Sequence, residues 1–307
     1  MATVQPAISN NSTRIKSLPS YRLQKRVLST IIHLIMIAVA ITMLVPFVLV
    51  ISASLTDDNT LMIVGYKIIP AVFSLEAYRY LFMSPASLIR AYGVTTFVTL
   101  AGTFFGMLVM SMTAYAMSRL TGTTRKTLTF FVLFTVLFSG GLIPFYLVMT
   151  QLYHIKDSLF ALIFPYLVAP FNVLLLRSFF NQLPTEILES AKIDGASELR
   201  IFFQIVIPLS TPALATIGLF TLLGYWNDYW LALLFIRNDK LSPLQYLLYN
   251  ILNNALAFEK SPQVSHITPP TQALRMAMAV VAAGPAVFVS LGLGRYFVRG
   301  ITLGALK

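Results

Sequence analysis

The chain has 307 residues, of which 57% belong to the hydrophobic set and only 11% are charged. Soluble domains run at roughly 45–50% apolar and about 25% charged, so a water-soluble globule is excluded; its exposed apolar surface would aggregate, and lipid must cover it. No cysteine is present, which removes disulfides, thiolate metal sites and a thiol nucleophile, and the net charge of +11 fits the cations that orient membrane loops.

A bilayer core of about 30 Å takes about 20 apolar residues in a helix. Six runs meet that length, near 28–51, 91–117, 128–150, 158–176, 208–236 and 276–297. They are continuous rather than alternating, so an all-α integral membrane fold is expected and a β-barrel is not. Residues 1–27 read as a polar tail and 28–307 as one transmembrane domain. The first run passes Pro46 without a small-residue cleavage site and reads as a retained signal-anchor.

Gly102 and Gly106 in the second run form a GxxxG that permits close helix approach within the bundle. The third run holds Ser139-Gly140-Gly141 and Pro144, the fourth Pro165 and Pro170, and the sixth Gly284-Pro285. Each proline is a kink candidate, because it removes a backbone donor and crowds the preceding turn. Gly140, Gly141 and Pro144 read either as a gate or as ordinary glycine and proline usage in membrane helices.

In the fifth run, Tyr225-Trp226-Asn227-Asp228-Tyr229-Trp230 places an amide and a carboxylate among four aromatics. Aromatic faces can cover a sugar ring while Asn and Asp bond its hydroxyls, which makes these six residues a candidate substrate path. An interfacial aromatic belt is the competing reading. His33, His154 and His266 lie far apart with no metal-ligand spacing, so no metal site is expected.

Arg14, Lys16, Arg22, Lys25, Arg26, Arg119, Arg125, Lys126, Arg177, Lys192, Arg200, Arg295, Arg299 and Lys307 fall on one side of this topology, 14 of the 22 basic residues. That side holds the shorter loops and both termini, so both termini are expected in the cytoplasm. On the outward side Lys67, Arg79, Arg90, Arg237, Lys240 and Lys260 read either as attracting an acidic substrate or as meeting a binding protein or lipid headgroups; Arg90, close to the second run, is the first candidate for the substrate path.

The cytoplasmic segment 184–209 carries the most local information. Pro184 and Thr185 open a short helix with Glu186 in its first turn. Ile187, Leu188, Ala191 and Ile193 give it an apolar side, and Gly195 ends it. Ser197 caps a second helix running through Phe202 and Phe203 to Pro208. Such a helical hairpin exposes apolar residues that need a groove on a partner.

Glu189-x-Ala191 with Gly195, followed by Ile205-x-x-Pro208, resembles the EAA loop of the permease subunits of ATP-binding-cassette importers. Ser190 stands where many members have alanine, and both are small. The six runs, Ser139–Pro144, Trp226-Asn227-Asp228 and the terminal Gly300–Lys307 stretch extend the likeness to carbohydrate permeases of the maltose-importer type. Within these, the likeness is to the branch taking up complex and uronate-containing oligosaccharides, alginate among them.

The resemblance implies a type I importer fold in the cell's inner membrane. It implies a second homologous permease, two ATPase subunits that bind ATP and Mg, and an extracytoplasmic solute-binding protein. Glu189, Ser190, Ala191, Asp194, Gly195, Ile205 and Pro208 would couple to an ATPase. The terminal tail would be a second contact.

The chain has no G-x-x-x-x-G-K-[ST], so it cannot cradle ATP phosphates itself and carries no cofactor of its own. The alternative in transport is an ion-coupled secondary carrier, which needs carboxylates in its spans; Asp228 alone qualifies. An intramembrane enzyme lacks any Ser/His or paired-Asp arrangement, so no catalytic residue is expected.

Overall fold

A computed structural model describes the backbone of residues 19–260 and 269–305, and side chains within 27–257 and 269–292. The side chains of Arg14, Lys16, Arg22, Lys25, Arg26, His266, Arg295, Arg299 and Lys307, and the terminal contact expected at Gly300–Lys307, lie outside the described residues.

Among the described residues every regular element is helical, apart from an isolated bridge between Thr56 and Phe73. Three helices are long and apolar enough to cross a bilayer alone. They are α1 (Pro19–Ser54), α4 (Pro85–Arg119) and α15 (Thr271–Ala305), the first and last over Val27–Ser54 and Thr271–Gly292. Short α2 (Asp58–Val64) and α3 (Glu76–Leu81) lie between α1 and α4. Exposed apolar side chains such as Ile32, Met36 and Met43 surround α1, the pattern of a helix whose solvent is lipid or another subunit.

Among the described residues three further helix pairs are long and apolar enough together but sharply bent, each a broken span or a re-entrant loop. The first joins α5 (Gly122–Leu137) to α6 (Leu142–Leu147) and its π-turn Val148–Leu152 through 113°. The second runs from α7 (Leu159–Ile163) and a 3-10 turn into α8 (Pro170–Phe180) through 48°. In the third, α10 (Glu198–Ile201) continues through the π-turn Phe202–Val206 into α11 (Ile207–Leu209). That piece meets α12 (Thr211–Trp226) at 85°. With each bent pair counted as one span, the described residues hold up to six crossings.

The bends correct the expected runs in two places. The run near 128–150 is not one helix: the chain leaves α5 at Phe138 in extended geometry, and Gly141 turns at φ +85° to start α6. Only glycine adopts that backbone cheaply, so Gly141 makes a sharp turn between two helices rather than a kink within one. The run near 208–236 also stops, at Trp226, and restarts as α13 (Trp230–Phe235). Conversely, Pro46 and Pro285 lie inside continuous helices; neighbouring helices re-satisfy the freed carbonyls in such positions.

At the centre, α4 packs against α8 and α12, while α15 packs against α12 and α1. The two glycines of α4 make this possible. A methyl group at Gly102 would sit 2.5 Å from the Tyr225 ring, and one at Gly106 3.0 Å from the Leu167 carbonyl oxygen. The GxxxG therefore serves packing within the chain. The remaining helices, α9 (Thr185–Ile193) and α14 (Leu244–Lys260), frame the two candidate sites.

Candidate functional sites

The 184–209 segment is a helical hairpin held by its own punctuation. Pro184 precedes α9, and Gly195 leaves it at φ +79°. The Ala196 N–H donates to the Ala191 carbonyl at 2.9 Å and the Gly195 N–H to that of Lys192 at 3.0 Å, a left-handed helix end. Ser197 then caps α10 by accepting from the Arg200 N–H at 3.4 Å.

One face of this hairpin is anchored. Leu188, Ile201, Phe202 and Val206 are buried against Met110, Ala114, Val173, Leu176 and Phe180 of α4 and α8, with Ala191 and Ile205 packed at the edge. The apolar side expected of α9 is thus divided: Leu188 and Ala191 turn inward, whereas Ile187 and Ile193 face out. Ile193 is 86% exposed, and Leu199 and Phe203 of the second arm share its situation. Glu189, Ser190, Asp194, Gly195 and Pro208 are exposed as well; Ser190 donates its hydroxyl to the Glu186 carbonyl at 2.7 Å.

A polar latch joins the two arms to α4. The Glu198 carboxylate meets Lys192 Nζ at 2.6 Å and accepts from the Tyr115 hydroxyl at 2.6 Å. Arg119 lies over the Tyr115 ring, 5.8 Å from its centroid, and donates to the Phe180 carbonyl at 3.1 Å. The Lys192 bond first, and the Tyr115 bond second, hold Glu198 below the usual carboxylate range. A lowered carboxylate pKa stabilises above the unfolded value and ceases to do so as pH falls through the folded one. Protease protection of the hairpin is therefore expected to be constant near neutrality and to fall at acid pH. Glu198→Gln should start less protected and lose part of that pH dependence.

The second candidate site surrounds the break between α12 and α13. Asp228 accepts from the Leu231 N–H at 3.1 Å and from the Tyr166 hydroxyl at 3.0 Å, so a side chain restarts the helix. At the other end of α13, Asp157 accepts from the N–H groups of Arg237 and Asn238 at 3.0 and 2.9 Å. These two bonds hold Asp157 below the usual carboxylate range.

Three cavities meet here. One of about 590 Å3 is lined by Ser139–Leu142, Pro144, Phe145, Val148 and Trp230. Another, of about 600 Å3, has Tyr166, Asn172, Tyr225, Asn227, Asp228, Tyr229 and Trp230 on its walls. The third, of about 300 Å3, lies between α14 and α15 with Tyr229 at its edge. Trp230 lines the first two and Tyr229 the last two, so the broken segment stands between all three.

The aromatic run is divided by its packing. Asn227, Asp228, Tyr229 and Trp230 line cavity walls. Tyr225 lines the same wall but is 4% exposed and donates its hydroxyl to the Ile163 carbonyl at 2.8 Å. Trp226 lines none of the three: it is buried at 7% and donates Nε1–H to the Ala282 carbonyl at 3.0 Å. Arg90, in the second turn of α4, is exposed and absent from all three linings, so the structure does not bring it to the aromatic run. Gly140, Gly141 and Pro144 do join the site, as the wall opposite Trp230. Tyr166, Asn172, Gln245, Tyr249 and Arg275 were not singled out by the sequence; only the Gln245/Tyr249 spacing of four on one helix hinted at a shared face. Among the described residues no group of three His, Asp or Glu side chains could hold a metal.

Residues 98–303 match the family described as binding-protein-dependent transport system inner membrane component. The polygalacturonan/rhamnogalacturonan transport system permease protein YtcP of Bacillus subtilis (strain 168) is 39% identical over 287 residues, 93% of this chain and all of that one. The galactooligosaccharides transport system permease protein GanQ of the same organism is 29% identical over 284 residues, 90% of this chain and 94% of that one. The crystal structure of a bacterial ABC transporter involved in the import of the acidic polysaccharide alginate contains a chain that superposes with TM-score 0.73 at 25% identity. That match covers 95% of this chain and 100% of the other.

Proposed function

Because this chain belongs to the family of binding-protein-dependent transport system inner membrane components, we propose that it is one of two paired permeases in an ATP-driven oligosaccharide importer. It is a non-catalytic membrane subunit, and its family works with a partner permease, an ATPase and a solute-binding protein. In the proposed assembly two ATPase subunits bind ATP and Mg on the cytoplasmic side, where both termini also lie. The binding protein delivers substrate from outside.

The observation that carries this reading is the hairpin, anchored on one face and bare on the other. Ile187, Ile193, Leu199 and Phe203 are apolar and exposed beside Glu189 and Asp194, which is what a cleft on an ATPase would receive. Glu189, Ser190, Ala191, Asp194 and Gly195 form the proposed contact, while Ile205 and Pro208 set the second arm. Closure of the ATPases would push the hairpin as a unit. The Lys192–Glu198–Tyr115 latch passes that push to α4, and the Gly102–Tyr225 contact passes it to α12 and the break beside the cavities.

Alternating access then consists of opening and closing the walls formed by Gly140, Gly141, Pro144 and Asn227–Trp230. The substrate class follows from the relatives, which are named for galacturonan, rhamnogalacturonan and galactooligosaccharides, and from the alginate importer. An acidic oligosaccharide such as alginate is the proposed cargo, on the strength of those names. The test is uptake into proteoliposomes holding the complex with enclosed ATP. Uptake that needs ATP and the loaded binding protein is expected; uptake driven by a proton or sodium gradient without ATP would establish the ion-coupled carrier instead.

A further inference from the structure

The smallest of the three cavities combines features that the transport reading leaves unused. From α14 it takes Gln245, Leu248, Tyr249 and Leu252, and from α15 Arg275, Met278, Ala279 and Ala282. Both sets recur at three- and four-residue steps, so each is a single helix face. Tyr229 closes the edge, its ring stacked on that of Tyr249 at 5.3 Å and 25°. Gln245 Nε2 points to Asn227 Oδ1 at 3.4 Å, which joins this cavity to the larger one across the break.

Arg275 is the only cation on these walls, and no carboxylate lines them. Its side chain is exposed, and among the described residues the one ion pair is Lys192–Glu198, so Arg275 has no carboxylate partner among them. A guanidinium presents five N–H donors in a planar fork that matches a carboxylate. Beside it, an aromatic pair offers a face for the apolar side of a pyranose ring, and Gln245 offers donor and acceptor for hydroxyls. A volume of about 300 Å3 lies at the small end for ligand sites. It suits one residue of a longer chain.

We infer that the α14–α15 cavity is a uronate subsite in which Arg275 binds the sugar carboxylate while Tyr229, Tyr249 and Gln245 hold the ring. This rests on the importer reading and adds to it the residue that distinguishes acidic from neutral saccharides. It also places that role on Arg275 rather than on Arg90.

The experiment is calorimetric titration of the purified complex, without binding protein, with trigalacturonate and with neutral galactotriose. A charge-assisted pair is expected to favour trigalacturonate by about ten- to a hundredfold. Arg275→Gln should bring trigalacturonate down to the level of galactotriose, and Arg275→Lys should keep part of the margin, having charge without the fork. Equal affinity of the wild type for both sugars overturns the subsite. So does Arg275→Gln binding trigalacturonate as the wild type does, the result expected if Arg275 serves the partner permease or lipid headgroups. ATP-driven uptake by the same preparation reports separately on the importer reading: uptake without the margin sinks the subsite alone, and no uptake of either sugar sinks both.

Discussion

Gly195→Trp is expected to leave the permease folded in the membrane while abolishing its hold on the ATPase. Gly195 sits at φ +79° at the tip of the hairpin, and nothing lies within 4 Å of where a side chain would begin. An L-residue there costs about 1–2 kcal/mol, too little to detach a hairpin whose Leu188, Ile201, Phe202 and Val206 are buried in the α4–α8 core. The indole instead projects where the proposed contact needs close approach. Loss of a central interface contact of about 2 kcal/mol weakens binding roughly thirtyfold, and a steric block should do at least that. Gly195→Asn, which tolerates left-handed backbone, is expected to retain most of the ATPase. Copurification and uptake measured on both variants decide the matter: an ATPase that stays with Gly195→Trp and drives normal uptake removes the tip from the contact.

Trp226→Ala and Trp230→Ala should separate folding from transport although only three residues lie between them. Trp226 fills the cluster of Leu81, Leu88, Leu244, Leu248, Leu274 and Met278 and is fixed by its bond to the Ala282 carbonyl. Truncation leaves a cavity, removes that hydrogen bond and is expected to cost about 3–5 kcal/mol, read as a marked drop in the thermal unfolding midpoint in detergent. Trp230 is 42% exposed and faces two cavities. Its loss should leave the midpoint nearly unchanged and reduce uptake roughly two- to tenfold, the scale of one aromatic stacking contact. Equal midpoints for the two variants would mean that the division of the aromatic run is misassigned.

The membrane itself made much of this fold legible. Lipid cannot bond an open backbone, so six long apolar runs stand out wherever helices cross. The hairpin was legible for another reason: Pro184, Gly195, Ser197 and Pro208 each act on the backbone next to them, and the structure uses them as their chemistry dictates. The break at Asn227–Tyr229 has no glycine or proline to announce it. It depends on Asp228 turning back to the Leu231 N–H and on Tyr166, some sixty residues earlier, reaching the same carboxylate. Proline is no more reliable as a marker, since Pro46 and Pro285 lie within continuous helices.

The cavity beside Arg275 was beyond the sequence. Tyr229, Tyr249 and Arg275 belong to three elements, and only tertiary packing places them on one wall. Charge counting does not single out Arg275, and nearness to a span favoured Arg90 instead. The inward turn of Leu188 and Ala191 is a similar case. A short amphipathic helix shows which residues are apolar, whereas the neighbours α4 and α8 determine which of them remain available to a partner.

The account stands on the hairpin tip being the place where an ATPase docks. This chain contains no cysteine, so Asp194→Cys, at the exposed end of α9, carries its only thiol. A photocrosslinker attached there in the transporting complex should form its main adduct with the ATPase subunit. A complex that transports normally yet gives no ATPase adduct from this position would contradict the account.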